Sequence, residues 1–183
     1  MTGRIWTISN FLSVLRIILL IPIAALLLNY DPSNRWLIVG LMLLAAFTDL
    51  FDGMLARKLN QVTEFGKIID PIADKIVIAV IAIILTVQVK LPGWFLFMII
   101  LRDVLILAGG IYIKKRKSIT LQSNKIGKWA VLVVALLIIF SVLDIVELLW
   151  IKQLLLLVGT VMLVLSFIFY LMRFMNVMRE LQK

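Results

Sequence analysis

The chain has 183 residues, 63% of them hydrophobic, with no cysteine and no histidine. That excess of apolar residues over an ordinary soluble domain points to lipid as the solvent. The missing side chains exclude disulfides, thiolate catalysis and metal sites built on sulfur or imidazole. The formal charge of +9 fits a positive-inside bias and attraction to anionic lipid rather than nucleic acid.

A short head, residues 1–9, carries Arg4, Ile5 and Trp6 and is expected to lie along the membrane surface. Six apolar stretches follow, at 11–30, 35–57, 67–89, 92–113, 126–146 and 150–172. Each is long enough to cross a bilayer, which takes about 20 residues. The first is too long for a signal-peptide core and is read as a retained helix. The expectation is one all-α integral membrane domain over 1–183, with six transmembrane helices and no internal repeat. Lys and Arg set its orientation. Arg4, Arg57, Lys58, Lys67, Lys114, Lys115, Arg116, Lys117, Lys125, Lys128, Arg173, Arg179 and Lys183 fall on one side, whereas Arg35, Lys90 and Lys152 fall on the other. The richer side is expected to be cytoplasmic, with both termini on it.

Acidic residues inside apolar helices are costly and usually mark function. Asp49 and Asp52 are three apart near the inner end of the second stretch, and Asp70 and Asp74 are four apart near the inner end of the third. Each pair therefore shares a helix face, and at about 1.5 Å per residue all four reach a similar depth. Four adjacent carboxylates repel unless cations intervene, and an oxygen-only donor set suits two divalent ions such as Mg²⁺ or Mn²⁺. Helix capping or ion pairs with Arg57, Lys67 and Lys75 are the plainer alternative. Capping accounts for Asp70 through the helix dipole but not for four acids on two faces. Gly53, Ala56 and Gly66 leave room beside the acids, and Arg57 offers a planar fork for phosphate oxygens. Together these residues suggest a metal-bridged nucleotide diphosphate site.

The segment from Asp49 through Asp52, Gly53, Ala56 and Arg57, followed by Gly66, Asp70 and Asp74, matches DxxDGxxAR…GxxxDxxxD at every fixed position. In this the chain resembles the CDP-alcohol phosphotransferase family, most closely its bacterial phosphatidylglycerophosphate-forming members. The opening from Asn10 to Arg16 is similar to theirs as well, so the resemblance covers essentially the whole chain. It implies two divalent cations on Asp49, Asp52, Asp70 and Asp74, with Asp74 also the base for the acceptor hydroxyl. It places Asp49, Gly53, Ala56, Arg57 and Gly66 around the CDP group. The implied reaction, part of phospholipid biosynthesis, transfers a phosphatidyl group from CDP-diacylglycerol to an alcohol and releases CMP. The resemblance further implies a homodimer in the inner (cytoplasmic) cell membrane, its active site facing the cytoplasm.

The acceptor is less sharply marked. Gly127-Lys128 keeps the start of a GKxKTxxQ-like stretch found in those bacterial members, but the later Lys, Thr and Gln positions differ. Lys125, Lys128 and Arg173, with the deeper Arg102, are candidate contacts for an acceptor phosphate. Arg102 also suits a local ion pair with a neighbouring acid. Glycerol 3-phosphate is the leading acceptor, with inositol phosphate and phosphatidylglycerol (a cardiolipin synthase reaction) as alternatives. Gly109-Gly110 is read as a close helix contact, Met162, Met172, Met175 and Met178 as packing or lipid-facing, and Asp144 and Glu147 as solvated. Two other classes share an acid cluster: an intramembrane prenyltransferase, which would carry a second Asp-rich motif, and a cation transporter, whose site would lie nearer the midplane.

Overall fold

The computed structural model describes residues 8–58, 66–117 and 125–181, with side chains for 14–48, 75–113 and 126–179. The described elements are helical throughout. They are α1 (Ile8–Leu28), α2 (Arg35–Lys58), α3 (Gly66–Val87), α4 (Gly93–Lys117), α5 (Lys125–Leu143) and α6 (Leu149–Leu181), with short 3-10 turns before α2 and α6. This is what lipid demands, because a helix satisfies its backbone polar groups internally. Side-chain hydroxyls follow the same rule: Thr48, Thr86 and Thr160 each donate to a carbonyl one turn back, on Ala45, Ala82 and Leu156 at 2.7, 2.8 and 2.7 Å.

The chain divides into two compact units, Met1–Gln88 and Val89–Lys183. In the first, α1 packs against both α2 and α3. Its buried residues Leu20, Ile23 and Leu27 meet a core that includes Ile38 and Ala45 of α2 and Val77, Ile81 and Leu85 of α3. Gln88 ties the end of α3 to α1 by donating to the Leu27 carbonyl. Between α1 and α2 the chain turns at Asp31, whose carboxylate accepts from the Ser33 hydroxyl and backbone N–H, both at 2.7 Å. Those two bonds hold the Asp31 carboxyl below the usual carboxylate range.

In the second unit α6 packs against α5 and α4. Arg102 meets Ser166, and the Tyr170 hydroxyl donates to the Ile106 carbonyl at 2.8 Å. The constant offset of 64 residues shows that α4 and α6 run parallel. They approach closely at Gly109, where an added Cβ would fall 2.6 Å from the Tyr170 hydroxyl oxygen, while at Gly110 the same atom stays 3.9 Å away. The close helix contact expected at this pair is therefore present. Gly109→Ala should push Tyr170 off Ile106 and cost about 1–3 kcal/mol. Thermal unfolding in detergent should show a lowered Tm for that variant and no loss for Gly110→Ala.

Outward faces are apolar. Ile18, Ile21, Phe97, Val104, Leu157 and Phe169 are all exposed, as lipid-facing residues are. Trp36, Trp94, Trp129 and Trp150 are each more than half exposed, and each lies within the first five residues of its helix. That is the position of an interfacial aromatic belt. Gly93–Ile113, Ile126–Leu143 and Val146–Arg179 are long and apolar enough to cross a membrane, and the described apolar parts of α1 and α3, Val14–Leu28 and Lys75–Val87, are shorter. The protein is a membrane protein.

Several helix ends differ from the sequence expectation. The third helix stops at Val87 rather than 89, because Val89 takes a left-handed φ of 60°. The fifth stops at Leu143 rather than 146, because Asp144 takes a φ of 49°, a conformation that Asp tolerates better than most residues. The fourth and sixth run on to Lys117 and Leu181, since no proline or glycine stops them. Asp144 and Glu147 are exposed, as expected, and Asp144 in addition pairs with Lys90 at 3.1 Å. Residues 1–7 of the proposed interfacial head lie outside the described residues.

Candidate functional site

Both acid pairs lie on helices of the first unit. Asp49, Asp52, Gly53, Ala56 and Arg57 fall in the last three turns of α2, and Gly66, Asp70 and Asp74 in the first three turns of α3. The backbone is helical through each pair, so the spacings of three and four residues keep each pair on one stripe of its helix. The side chains of these eight residues lie outside the described ones.

The described neighbours fix which stripe that is. On α2 the buried residues Ile38 and Ala45, with half-buried Met42 between them, step by four and three. Continuing the same step from Ala45 leads to positions 49 and 52. On α3 the buried residues Val77, Ile81 and Ile84 step by four and three, and stepping back from Val77 leads to positions 74 and 70. All four aspartate positions thus continue the stripes by which α2 and α3 bury their apolar residues, not the lipid-facing ones. Among the described residues no group of acidic side chains is placed to hold a metal, and the side chains of the four aspartates lie outside them.

The acceptor candidates lie in the second unit. Arg102 donates to Asp103 at 2.6 Å and to Ser166 at 2.7 Å, with its side chain only 12% exposed. The local ion pair considered for it is therefore present, joined by an interhelical hydrogen bond. Lys128, at the start of α5, and Arg173, in the second half of α6, are both exposed. The side chain of Lys125 lies outside the described residues. Taking α5 and α6 as an antiparallel pair closed by residues 143–149, Arg173 lies nine residues beyond the level of Lys128, about 13 Å along the axis. These two are therefore separate positions along the helix pair.

One charged residue outside the candidates legible in the sequence is also buried. Arg16 of α1 is only 3% exposed. The signal that could have found it is the general one for charges within apolar helices.

The chain belongs to the CDP-alcohol phosphatidyltransferase family, whose model matches residues 6–178 and so spans both units. Its relatives narrow the comparison. The CDP-diacylglycerol--glycerol-3-phosphate 3-phosphatidyltransferase of Cereibacter sphaeroides is 34% identical over 128 residues, covering 68% of this chain and 58% of that protein. The protein of the same name from Aquifex aeolicus is 35% identical over 132 residues, covering 70% and 71%. The human cardiolipin synthase (CMP-forming) is 39% identical over 112 residues, covering 61% and 36%. The match thus spans little more than half of the Cereibacter protein and about a third of the human one.

Proposed function

We propose that this chain transfers the phosphatidyl group of CDP-diacylglycerol to an alcohol and releases CMP, with glycerol 3-phosphate as the acceptor. The observation that carries the reading is the continuation of the buried stripes of α2 and α3 into the two aspartate pairs. It is supported by membership of the family and by two relatives named for glycerol 3-phosphate. The proposed molecule is a single six-span membrane domain over 1–183. Both termini and the acid cluster face the cytoplasm, in the inner (cytoplasmic) cell membrane, and the active form is a homodimer.

The donor set of Asp49, Asp52, Asp70 and Asp74 is all oxygen, on a chain without histidine or cysteine, and so fits hard divalent cations. Two such ions, Mg²⁺ or Mn²⁺, would neutralise the diphosphate and the departing CMP. The remaining chemistry falls to the chain. Arg57 grips phosphate oxygens with its planar fork, and Gly53, Ala56 and Gly66 leave the CDP group room to approach the backbone, with Asp49 beside it. The acceptor oxygen attacks the lipid-side phosphorus as its proton passes to Asp74. The bond from that phosphorus to the bridging oxygen breaks, and CMP leaves with the electron pair. Lys125, Lys128 and Arg173 are the proposed contacts for an acceptor phosphate. Arg102 is the weakest of these candidates, since its guanidinium already serves Asp103 and Ser166.

A second acceptor, phosphatidylglycerol, has a specific observation behind it in the 39% identity to the human cardiolipin synthase. The deciding experiment supplies purified protein with CDP-diacylglycerol and, separately, glycerol 3-phosphate, phosphatidylglycerol, inositol phosphate and inositol, and measures CMP. Release with glycerol 3-phosphate alone is expected. Release only with phosphatidylglycerol would reassign the acceptor, and no release with any alcohol would remove the reaction class.

A further inference from the structure

Among the described residues, Arg16 is the only fully buried charged side chain. It sits on the packing face of its helix: Arg16, Leu20, Ile23 and Leu27 follow at steps of four, three and four, and all are buried. This stripe belongs to the helix that packs against both α2 and α3. A snorkelling arginine would carry its head to water and be exposed there, whereas this one is 3% exposed. Guanidinium stays charged at any accessible pH, so its burial calls for anions close by.

Axial counting shows which anions share its level. From the tie between Gln88 and Leu27, eleven residues back along α1 reach Arg16 and eleven back along α3 reach Val77, each about 16 Å away. Helical side chains lean toward the N-terminus of their own helix. An arginine head reaching one turn, about 5.4 Å, comes level with position 74. On antiparallel α2, twelve residues from Arg35 match the twelve from Leu28 to Arg16, and one turn more falls between positions 49 and 52.

We propose that Arg16 is the internal counter-cation of the aspartate cluster, a positioning residue opposite Asp49 and Asp74. It holds the two acid-bearing helices against α1 when no divalent ion is bound, and it competes with that ion for the carboxylates. The inference rests on the carboxylate site proposed above. Removing the cation should weaken the metal-free protein and, by linkage, tighten its hold on metal.

The test uses the full chain in detergent, comparing wild type, Arg16→Lys and Arg16→Gln. Mn²⁺ binding is followed by electron paramagnetic resonance, and thermal unfolding is recorded in EDTA and in saturating Mn²⁺. Arg16→Gln should melt lower than wild type in EDTA, recover most of the gap in Mn²⁺, and bind Mn²⁺ about tenfold more tightly. Arg16→Lys should follow wild type. Equal Mn²⁺ affinity in wild type and Arg16→Gln, or the same loss of Tm with and without Mn²⁺, overturns the proposal, because a purely packing role predicts that result. If Arg16→Gln does not fold, the double variants with Asp49→Asn and Asp74→Asn decide: recovery of folding in either supports the pairing, and recovery in neither overturns it. A wild type that binds no Mn²⁺ would instead overturn the carboxylate site itself, and this inference with it.

Discussion

Asp74→Asn is expected to lower turnover by about 10²–10⁴-fold, the usual contribution of a positioned base. Asparagine keeps the size of the side chain but cannot take the acceptor proton. With histidine and cysteine absent, the chain offers few other groups for that task. The loss should appear in kcat more than in the KM for CDP-diacylglycerol, since the contacts proposed for the nucleotide, Arg57 and the small residues, are untouched. Steady-state CMP release measured against both substrates provides the check, with size-exclusion chromatography confirming that the variant folds. Near wild-type turnover would move the base to another residue.

Chelation is expected to abolish CMP release altogether, and Mg²⁺ or Mn²⁺ to restore it. Two unit charges about 4 Å apart repel by about 4 kcal/mol at the effective dielectric of a protein surface. In the proposed site, four carboxylates joined by a substrate diphosphate would make that repulsion prohibitive without divalent ions. CMP assays in excess EDTA, followed by back-titration with each metal, test the point. Full activity in EDTA would sink the two-metal reading, whereas restoration by one metal alone would settle which ion the site prefers.

Much of this architecture was legible in the chain because it follows from periodicity. The aspartate spacings fit a helix, and the described helices continue through them. Gly109 was legible as a packing contact, and Tyr170 supplies its partner. Helix ends were less legible. Val89, β-branched and in the left-handed region, is a residue that pattern alone would leave inside a strand or helix. Arg16 was hidden for a different reason. In lipid, the outer face of α1 is as apolar as its core, so Ile17, Ile18 and Ile21 look no different in sequence from buried Leu20 and Ile23. Only packing reveals which stripe Arg16 continues. The Arg102–Asp103 pair was equally ambiguous, because adjacent residues on a helix do not normally face each other, yet here they lie 2.6 Å apart.

That pair also bears on how the protein enters the membrane. Arg102 and Asp103 are neighbours on α4, so they can neutralise each other as soon as that helix coils, while α6 is still being synthesised. A lone arginine at mid-helix costs about 2.5–3.5 kcal/mol on insertion scales, and a companion acid reduces what the translocon must accept. The second bond, to Ser166, can form only after α6 has followed. α4 is thus equipped to be inserted early and locked late, and a nascent chain truncated between the two helices would leave the translocon with an arginine whose charge is balanced but whose anchorage is incomplete.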